Sequence, residues 1–156
     1  MIRKSAGILL YKLAEGRLQV FLVHPGGPIW QKRDLQSWSV PKGEYENEDP
    51  AIAARREFEE ETGFSVSGEL IPLEPQTLKS GKTITCFAVK GDIEANAIKS
   101  NLFEMEWPPK SGKIQSFPEV DRGEWFSVSM ALQKINPQQA GFIYELMEKL
   151  GRSKTK

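Results

Sequence analysis

Apolar and polar positions along the chain follow two different periods. Residues 5–13 and 18–24 are apolar, β-rich runs separated by Ala14-Glu15-Gly16-Arg17, which reads as a hairpin turn between antiparallel neighbours. The cluster His24-Pro25-Gly26-Gly27-Pro28 stops the second run, and a polar loop then passes Trp30 to reach Trp38-Ser39-Val40. Asp49-Pro50 opens a helix: the residue before a proline avoids the α region, as an N-cap does, and proline suits the first helical position. Gly63 closes that helix at Thr62, because glycine accepts the left-handed conformation that follows a last turn. Further strand-like runs span 68–75 and 83–90, and Phe103, Met105 and Trp107 alternate with Glu104 and Glu106 in the two-residue period of a strand. Residues 108–118, rich in Pro, Gly, Ser and Lys, read as a long loop of the kind that often covers a site. Trp125-Phe126 marks a short strand, and Phe142, Ile143, Leu146, Met147 and Leu150 recur at helical spacing. The element order predicts an α/β (α+β) chain with a mixed sheet.

Length sets the scale of this arrangement. The 156 residues suffice for one domain, expected over 1–151, with a flexible basic tail at 152–156. Hydrophobic residues at 39% exclude a disordered chain. The apolar run 6–11 is too short to form a signal-peptide core or to span a bilayer. Cys86 is the only cysteine, so it forms no disulfide within the chain, and its apolar surroundings place it in the core of a protein with a reducing, cytoplasmic home.

Charge sharpens the picture. Lysine plus arginine number 21 and so do aspartate plus glutamate, so the chain as a whole has no field to draw it onto nucleic acid or an anionic membrane. The zero conceals a local excess: residues 44–61 hold eight acids against Arg55 and Arg56. At about 100° per residue, Glu60 and Glu61 fall about 60° and 40° to either side of Glu57, while Glu59 points away. Ala54 and Phe58 form a neighbouring stripe able to pack on the sheet. Like charges three and four residues apart repel, and these stand in the last turn, where the helix dipole is already negative. A hard divalent cation, Mg²⁺ or Mn²⁺, would offset them, since carboxylates without His or Cys favour such ions over zinc. A solvated acidic face is the plain alternative.

The surrounding residues bear on that choice. Residues 43–64 read GEYENEDPAIAARREFEEETGF and resemble the Nudix box, G-x5-E-x7-R-E-U-x-E-E-x-G-U with U apolar. Glu48, Arg56, Glu57, Phe58, Glu60, Glu61, Gly63 and Phe64 meet its fixed positions. The lead-in W-S-V-P-K-G (38–43) is similar to that of the family's diadenosine polyphosphate hydrolases. The segments S-A-G-I-L-L-Y, H-P-G-G-P, F-E-M-E-W-P-P-K-S-G-K and F-P-E-V-D-R-G-E-W-F resemble a bacterial MutT-like subgroup of predicted nucleotide pyrophosphohydrolases. One spacing departs: four residues, not five, separate Gly43 from Glu48. A loop absorbs such a deletion more readily than a helix, and it leaves open whether Glu48 reaches Arg56 and whether the Lys42 carbonyl faces a metal.

The resemblance implies the Nudix fold, a mixed β-sheet sandwiched between α-helices, and an Mg²⁺-dependent hydrolase (Mn²⁺ as an alternative). Such an enzyme cleaves a phosphoanhydride in a nucleoside diphosphate linked to another group, such as a nucleoside triphosphate or dinucleoside polyphosphate. It implies Glu57 and Glu61 as main metal ligands, Glu60 as a third ligand or general base, the Lys42 carbonyl as a further ligand, and Arg56 as the residue that orients Glu57. Gly43, Glu48 and Gly63 support the motif. Some relatives draw the base from a loop, for which Glu119 leads and Asp121, Glu104 and Glu106 are further candidates. Lys42, Gly43 and Trp38 are candidate substrate contacts, with Trp30, Trp107 and Phe117 as other aromatic candidates for stacking on a base. Lys32 and Arg33 could meet phosphate, and His24 could touch a ligand or simply make a local hydrogen bond. The expected partner is a small nucleotide or polyphosphate, with no nucleic acid and no membrane, bound by a monomer or homodimer. A nucleotide-sensing module without hydrolysis is the alternative function, and an acidic protein-interaction helix a third.

Overall fold

The computed structural model describes residues 3–151, and the tail expected at 152–156 lies outside the described residues. In chain order the elements are β1 (Lys4–Ala14), β2 (Arg17–Pro25), β3 (Lys42–Glu44), α1 (Pro50–Thr62), β4 (Ile71–Pro72), β5 (Gln76–Thr77) and β6 (Thr83–Lys90). There follow β7 (Leu102–Glu106), β8 (Ile114–Pro118), β9 (Val120–Ser127), α2 (Val128–Lys134) and α3 (Ala140–Lys149), with single 3₁₀ turns at Ala95–Ala97 and Pro137–Gln139.

Strand β1 runs through the middle of a seven-stranded mixed sheet of order β4-β6-β1-β2-β9, with β3 also paired to β1 and β5 to β6. It is parallel to β6 and antiparallel to β2 and β3. Both faces of β1 are buried, which is why residues 6–11 read as an unbroken apolar run. Alternate side chains point to opposite faces. Ala6, Ile8 and Leu10 pack with Phe21, Val23, Ala53, Ala54 and Phe58 beneath α1. Leu9 and Tyr11 pack with Val20, Leu22, Ala131, Phe142, Ile143, Leu146 and Met147 beneath α2 and α3. The sheet is therefore sandwiched between helices, as expected, and Cys86 is a buried free thiol within the second of these layers.

The predicted β1–β2 hairpin forms in the register Ala14↔Arg17, and Glu15 and Gly16 both take positive φ (54° and 78°), as a tight hairpin turn requires. Helix α1 has the bounds read from its caps. The Asp49 side chain accepts from the Ala51 N–H at 3.0 Å, and Gly63 sits at φ 80° with its N–H on the Glu59 carbonyl at 2.7 Å.

Three expectations need correction. The run 68–75 yields only the two-residue strand β4, with the equally short β5 following it, because Pro72 and Pro75 lack the N–H that a longer ladder needs. Residues 108–118 are not one loop: β8 pairs antiparallel with β7 in a two-stranded ribbon apart from the main sheet. Its largely polar sequence hides the strand, since Phe117 packs on Phe103 while most of β8 stays exposed. Trp125-Phe126 belongs to an eight-residue strand, β9, paired along its length with β2. Helix α2 was not foreseen, since seven residues are too few to display a helical period; Ser127 caps it. Among the described residues no helix is long and apolar enough to cross a membrane.

Candidate active site

Helix α1 sets Phe58, Ala53 and Ala54 into the sheet and leaves Glu57 at the border of the core, only 9% exposed. Glu60 and Glu61 flank it toward a cleft, while Glu59 faces outward to the Ser65 hydroxyl. Arg56 gathers this face. Its Nη1 donates to Glu57 Oε2 at 2.8 Å and to Glu60 Oε2 at 2.9 Å, and its Nε donates to Glu48 Oε2 at 3.0 Å. Glu48 thus reaches Arg56 despite the shortened connection, and the second guanidinium nitrogen completes a fork on its carboxylate. The guanidinium holds Glu48 below the ordinary carboxylate range, and its own pKa is raised in return.

Strand β3 supplies the opposite wall. The Lys42 N–H donates to Glu61 Oε1 at 3.3 Å. Lys42 lies opposite Gly7, between residue pairs that exchange the ladder bonds of β1 and β3, so both its N–H and its carbonyl turn away from β1. A Cβ on Gly43 would stand 1.9 Å from Glu57 Oε1, so only glycine lets that carboxylate lie against the strand. Burial pushes the Glu61 carboxyl up to about 8, against the pull of the Lys42 charge and N–H, with Glu57 and Glu119 adding repulsion. Burial likewise raises Glu57 and lowers the Lys42 ammonium.

Glu119 reaches the same cleft through a backbone relay. The Asn101 N–H bonds the Glu60 carbonyl at 2.8 Å, and the Asn101 carbonyl accepts from the Glu119 N–H at 2.8 Å. One residue thereby satisfies an open carbonyl at the end of α1 and fixes the segment bearing Glu119 beside it.

The cleft measures about 580 Å³ and is bordered by Glu57, Glu60, Glu61, Lys42, Gly43, Glu119 and the partly buried Trp30. Among the described residues no three His, Cys, Asp or Glu side chains are grouped closely enough to hold a metal ion as they stand. The donor chemistry nevertheless fits a hard divalent cation. Arg56 engages one oxygen each of Glu57 and Glu60, the Lys42 N–H engages one oxygen of Glu61, and all the candidate donors are oxygens.

The remaining candidates are placed differently. Trp38 is 1% exposed: its Nε1 donates to Asp34 Oδ1 at 2.8 Å, and its ring is enclosed by Phe126, His24 and the Arg122 guanidinium. Trp38 borders the cleft, but its ring is packed as core and leaves almost no surface on which a base could stack. Trp30, with Arg33 over its ring, keeps an edge on the cleft. His24 is fully buried, Nδ1 at 2.9 Å from Asp121 and Nε2 donating to the Arg33 carbonyl at 2.6 Å, so it and Asp121 fasten the loop after β2 to β9. Glu106 accepts from the turn N–H groups of Lys110 and Gly112. Glu104, Trp107 and Phe117 belong to the β7–β8 ribbon outside the cleft, and Lys32 and Arg33 are exposed. Among the cleft residues that escape a reading of the sequence are Lys82 and Ser5, whose buried Oγ has no hydrogen-bond partner. Such an orphan hydroxyl costs about 1–3 kcal/mol. No sequence signal marks either, because each is placed by sheet register.

A carboxylate helix joined by one arginine to a loop glutamate, packed on a mixed sheet, defines a class that comparison identifies. The NUDIX domain family model matches residues 1–146, and the chain belongs to that family, whose members are pyrophosphohydrolases acting on acid anhydrides. Solved structures share the fold. The Ap4A hydrolase of C. elegans, in a binary complex, is 19% identical with a TM-score of 0.64, covering 94% of this chain and 98% of that one. The NUDIX domain of Shewanella oneidensis NrtR complexed with ADP ribose is 15% identical with a TM-score of 0.67, covering 96% and 89%. A mutT/nudix family protein from Listeria innocua is 17% identical with a TM-score of 0.62, covering 96% and 94%. No curated protein matches the chain.

Proposed function

We propose that this chain hydrolyses a phosphoanhydride in a nucleoside diphosphate linked to a further group, such as a nucleoside triphosphate or a dinucleoside polyphosphate, and that it does so with Mg²⁺, Mn²⁺ being able to replace it. The observation that carries the proposal is the shared anchoring of three carboxylates in one cleft: Arg56 on Glu57 and Glu60, and the Lys42 N–H on Glu61.

In this reading Glu57, Glu60 and Glu61, with the Lys42 carbonyl, hold the divalent ion. When bound, the ion screens the phosphate oxygens and lowers the pKa of a water. Arg56 is a positioning residue: it fixes Glu57 and Glu60 through one oxygen each and leaves the other oxygen of each outside its grip. Gly43 clears the space in which Glu57 sits. Glu60 or Glu119 accepts the proton of the attacking water, and Glu119 has the freer position, exposed at the mouth of the cleft. Trp30 offers its ring to the nucleobase. The likeness to proteins described as an Ap4A hydrolase and as bound to ADP ribose supports a nucleotide with an internal phosphoanhydride.

A hydrolysis screen tests the proposal. Nucleoside triphosphates, dinucleoside polyphosphates and nucleotide sugars are incubated with the protein and Mg²⁺, and the products are identified. Cleavage of a P–O–P bond in at least one class is expected. Binding of these compounds without any product would instead indicate a sensing module.

A further inference from the structure

The ladder between β2 and β9 has one irregularity. His24 lies opposite Arg122 and Pro25 opposite Val120, so Asp121 is an extra residue on β9, a β-bulge. Gly123 stands against Phe21 in the layer beneath α1, and simple alternation from there would turn Asp121 toward that same layer. The bulge gives the place to Val120, which packs there, and turns Asp121 to the other face. On that face the His24 ring lies edge-on to Trp38, and Asp121 Oδ1 stands 2.9 Å from His24 Nδ1. A bulge beside a cleft serves to re-aim side chains. This one re-aims the start of β9, directly after Glu119.

His24 ties the bulge to a second segment. Its ring is wholly buried, and while Nδ1 meets the Asp121 carboxylate, Nε2 donates to the Arg33 carbonyl at 2.6 Å. Arg33 is joined in turn to Trp30: its N–H donates to the Trp30 carbonyl at 2.9 Å, and its guanidinium lies 5.3 Å from the centre of the Trp30 ring. On the side of the bulge, the Gly26 N–H donates to the Glu119 carbonyl at 2.9 Å, two residues along the chain from each member of the His24–Asp121 pair. Trp30 and Glu119 line the cleft, and His24, Arg33 and Asp121 stand behind them. One rigid ring with bonds in two directions therefore fixes the spacing between the loop that bears Trp30 and the segment that bears Glu119.

We propose that His24 is a positioning residue that sets two parts of the reaction at once: through Arg33 it holds Trp30 for the nucleobase, and through Asp121 it holds the bulge that aims Glu119 at the attacking water. The proposal rests on the phosphoanhydride reading above and deepens it, assigning control of that site to a side chain that touches neither the substrate nor the metal. It commits the water's proton to Glu119 in place of Glu60. The two halves of the tether are separable. The amide nitrogen of an asparagine falls near Nδ1 of the histidine it replaces, and that of a glutamine near Nε2, so each amide keeps one donor and loses the other.

The test compares the wild type with His24→Asn, His24→Gln, Asp121→Ala and Asp121→Asn. In ¹H–¹⁵N spectra of the nucleotide-free protein, His24→Asn is expected to move the Trp30 indole and amide signals more than the Glu119 amide, and His24→Gln and Asp121→Ala to do the opposite. On the compound turned over best in the screen, His24→Asn should raise KM by about fivefold with the smaller effect on kcat. His24→Gln and Asp121→Ala should lower kcat by about tenfold with the smaller effect on KM. Asp121→Asn keeps an acceptor for Nδ1 and should recover most of the kcat that Asp121→Ala loses. Thermal unfolding shows whether each variant folds. Asp121 is partly exposed, so if the buried His24 variants fail to fold, Asp121→Ala against Asp121→Asn decides. Losses of kcat and KM together in proportion to lost stability, or equal displacement of both segments in every variant, would overturn the positioning role. The spectral split with no turnover of any compound by the wild type would uphold the tether and refute the hydrolase reading. Wild-type turnover with no split among the variants would do the reverse.

Discussion

The backbone N–H of Lys42 and the carboxylate of Glu61 are joined at 3.3 Å, fastening β3 to the last turn of α1. That single bond is all the backbone offers to a carboxyl which burial has pushed up to about 8 from an ordinary 4.5. The folded apo chain therefore binds a proton here that the unfolded chain has already released.

The sign of the consequence is fixed by linkage. With the folded pKa above the unfolded one, Glu61's contribution to stability is full below pH 4.5, declines as the pH rises toward 8, and is level beyond. Thermal unfolding of the metal-free protein should show a falling component across that window. Addition of Mg²⁺ should flatten it, since the ion binds the deprotonated form. A metal-free stability that rises steadily from pH 5 to 8 would contradict the burial of Glu61.

Arg56 grips three glutamates with a planar fork that lysine lacks. Arg56→Lys should weaken divalent-cation binding or turnover by roughly 10–100-fold, the usual scale for a residue that orients ligands. Because the pairs are partly exposed, stability should fall by only about 1 kcal/mol. Cation titration alongside denaturant unfolding separates the two effects.

Gly43→Ala places a methyl group against the Glu57 carboxylate. The obstructing atoms are the far end of a flexible side chain, so Glu57 swings aside at little cost to the fold. Activity should drop by about tenfold or more while stability changes by less than about 1 kcal/mol, since the change creates neither a cavity nor a buried orphan. Comparable losses of both would mean that Glu57 cannot move.

The two cleft-side tryptophans should behave oppositely. Trp38→Phe removes a core ring and its bond to Asp34, and should destabilise by about 1–3 kcal/mol with KM unchanged. Trp30→Ala should raise KM by roughly 5–10-fold, within the scale of base stacking, with little change in stability. Steady-state kinetics and thermal unfolding of both variants check the pair.

Local signals carried much of this site. Asp49, Pro50 and Gly63 mark the ends of α1 because capping is decided within a few residues, and the wheel positions of Glu57, Glu60 and Glu61 follow from those ends. The hairpin at Glu15-Gly16 is legible for the same reason. What register and packing decide was not legible. Trp38 reads as a loop aromatic, yet β2 and β9 close over it. Ser5 reads as an ordinary strand residue until β3 and β6 bracket it. Asn101 has no motif, and its importance lies in its backbone. The β7–β8 ribbon buries too little apolar surface to impose a clear alternation on its second strand.

The most direct test of the central claim compares wild type with Glu61→Gln on the best substrate of the screen, across a Mg²⁺ titration, with the products identified. Phosphoanhydride cleavage that rises with Mg²⁺ in the wild type and falls by roughly a hundredfold or more in a folded Glu61→Gln protein is the expected result, the scale of losing one charge-stabilising group. Wild-type turnover without any divalent ion, or full activity in Glu61→Gln, would contradict it.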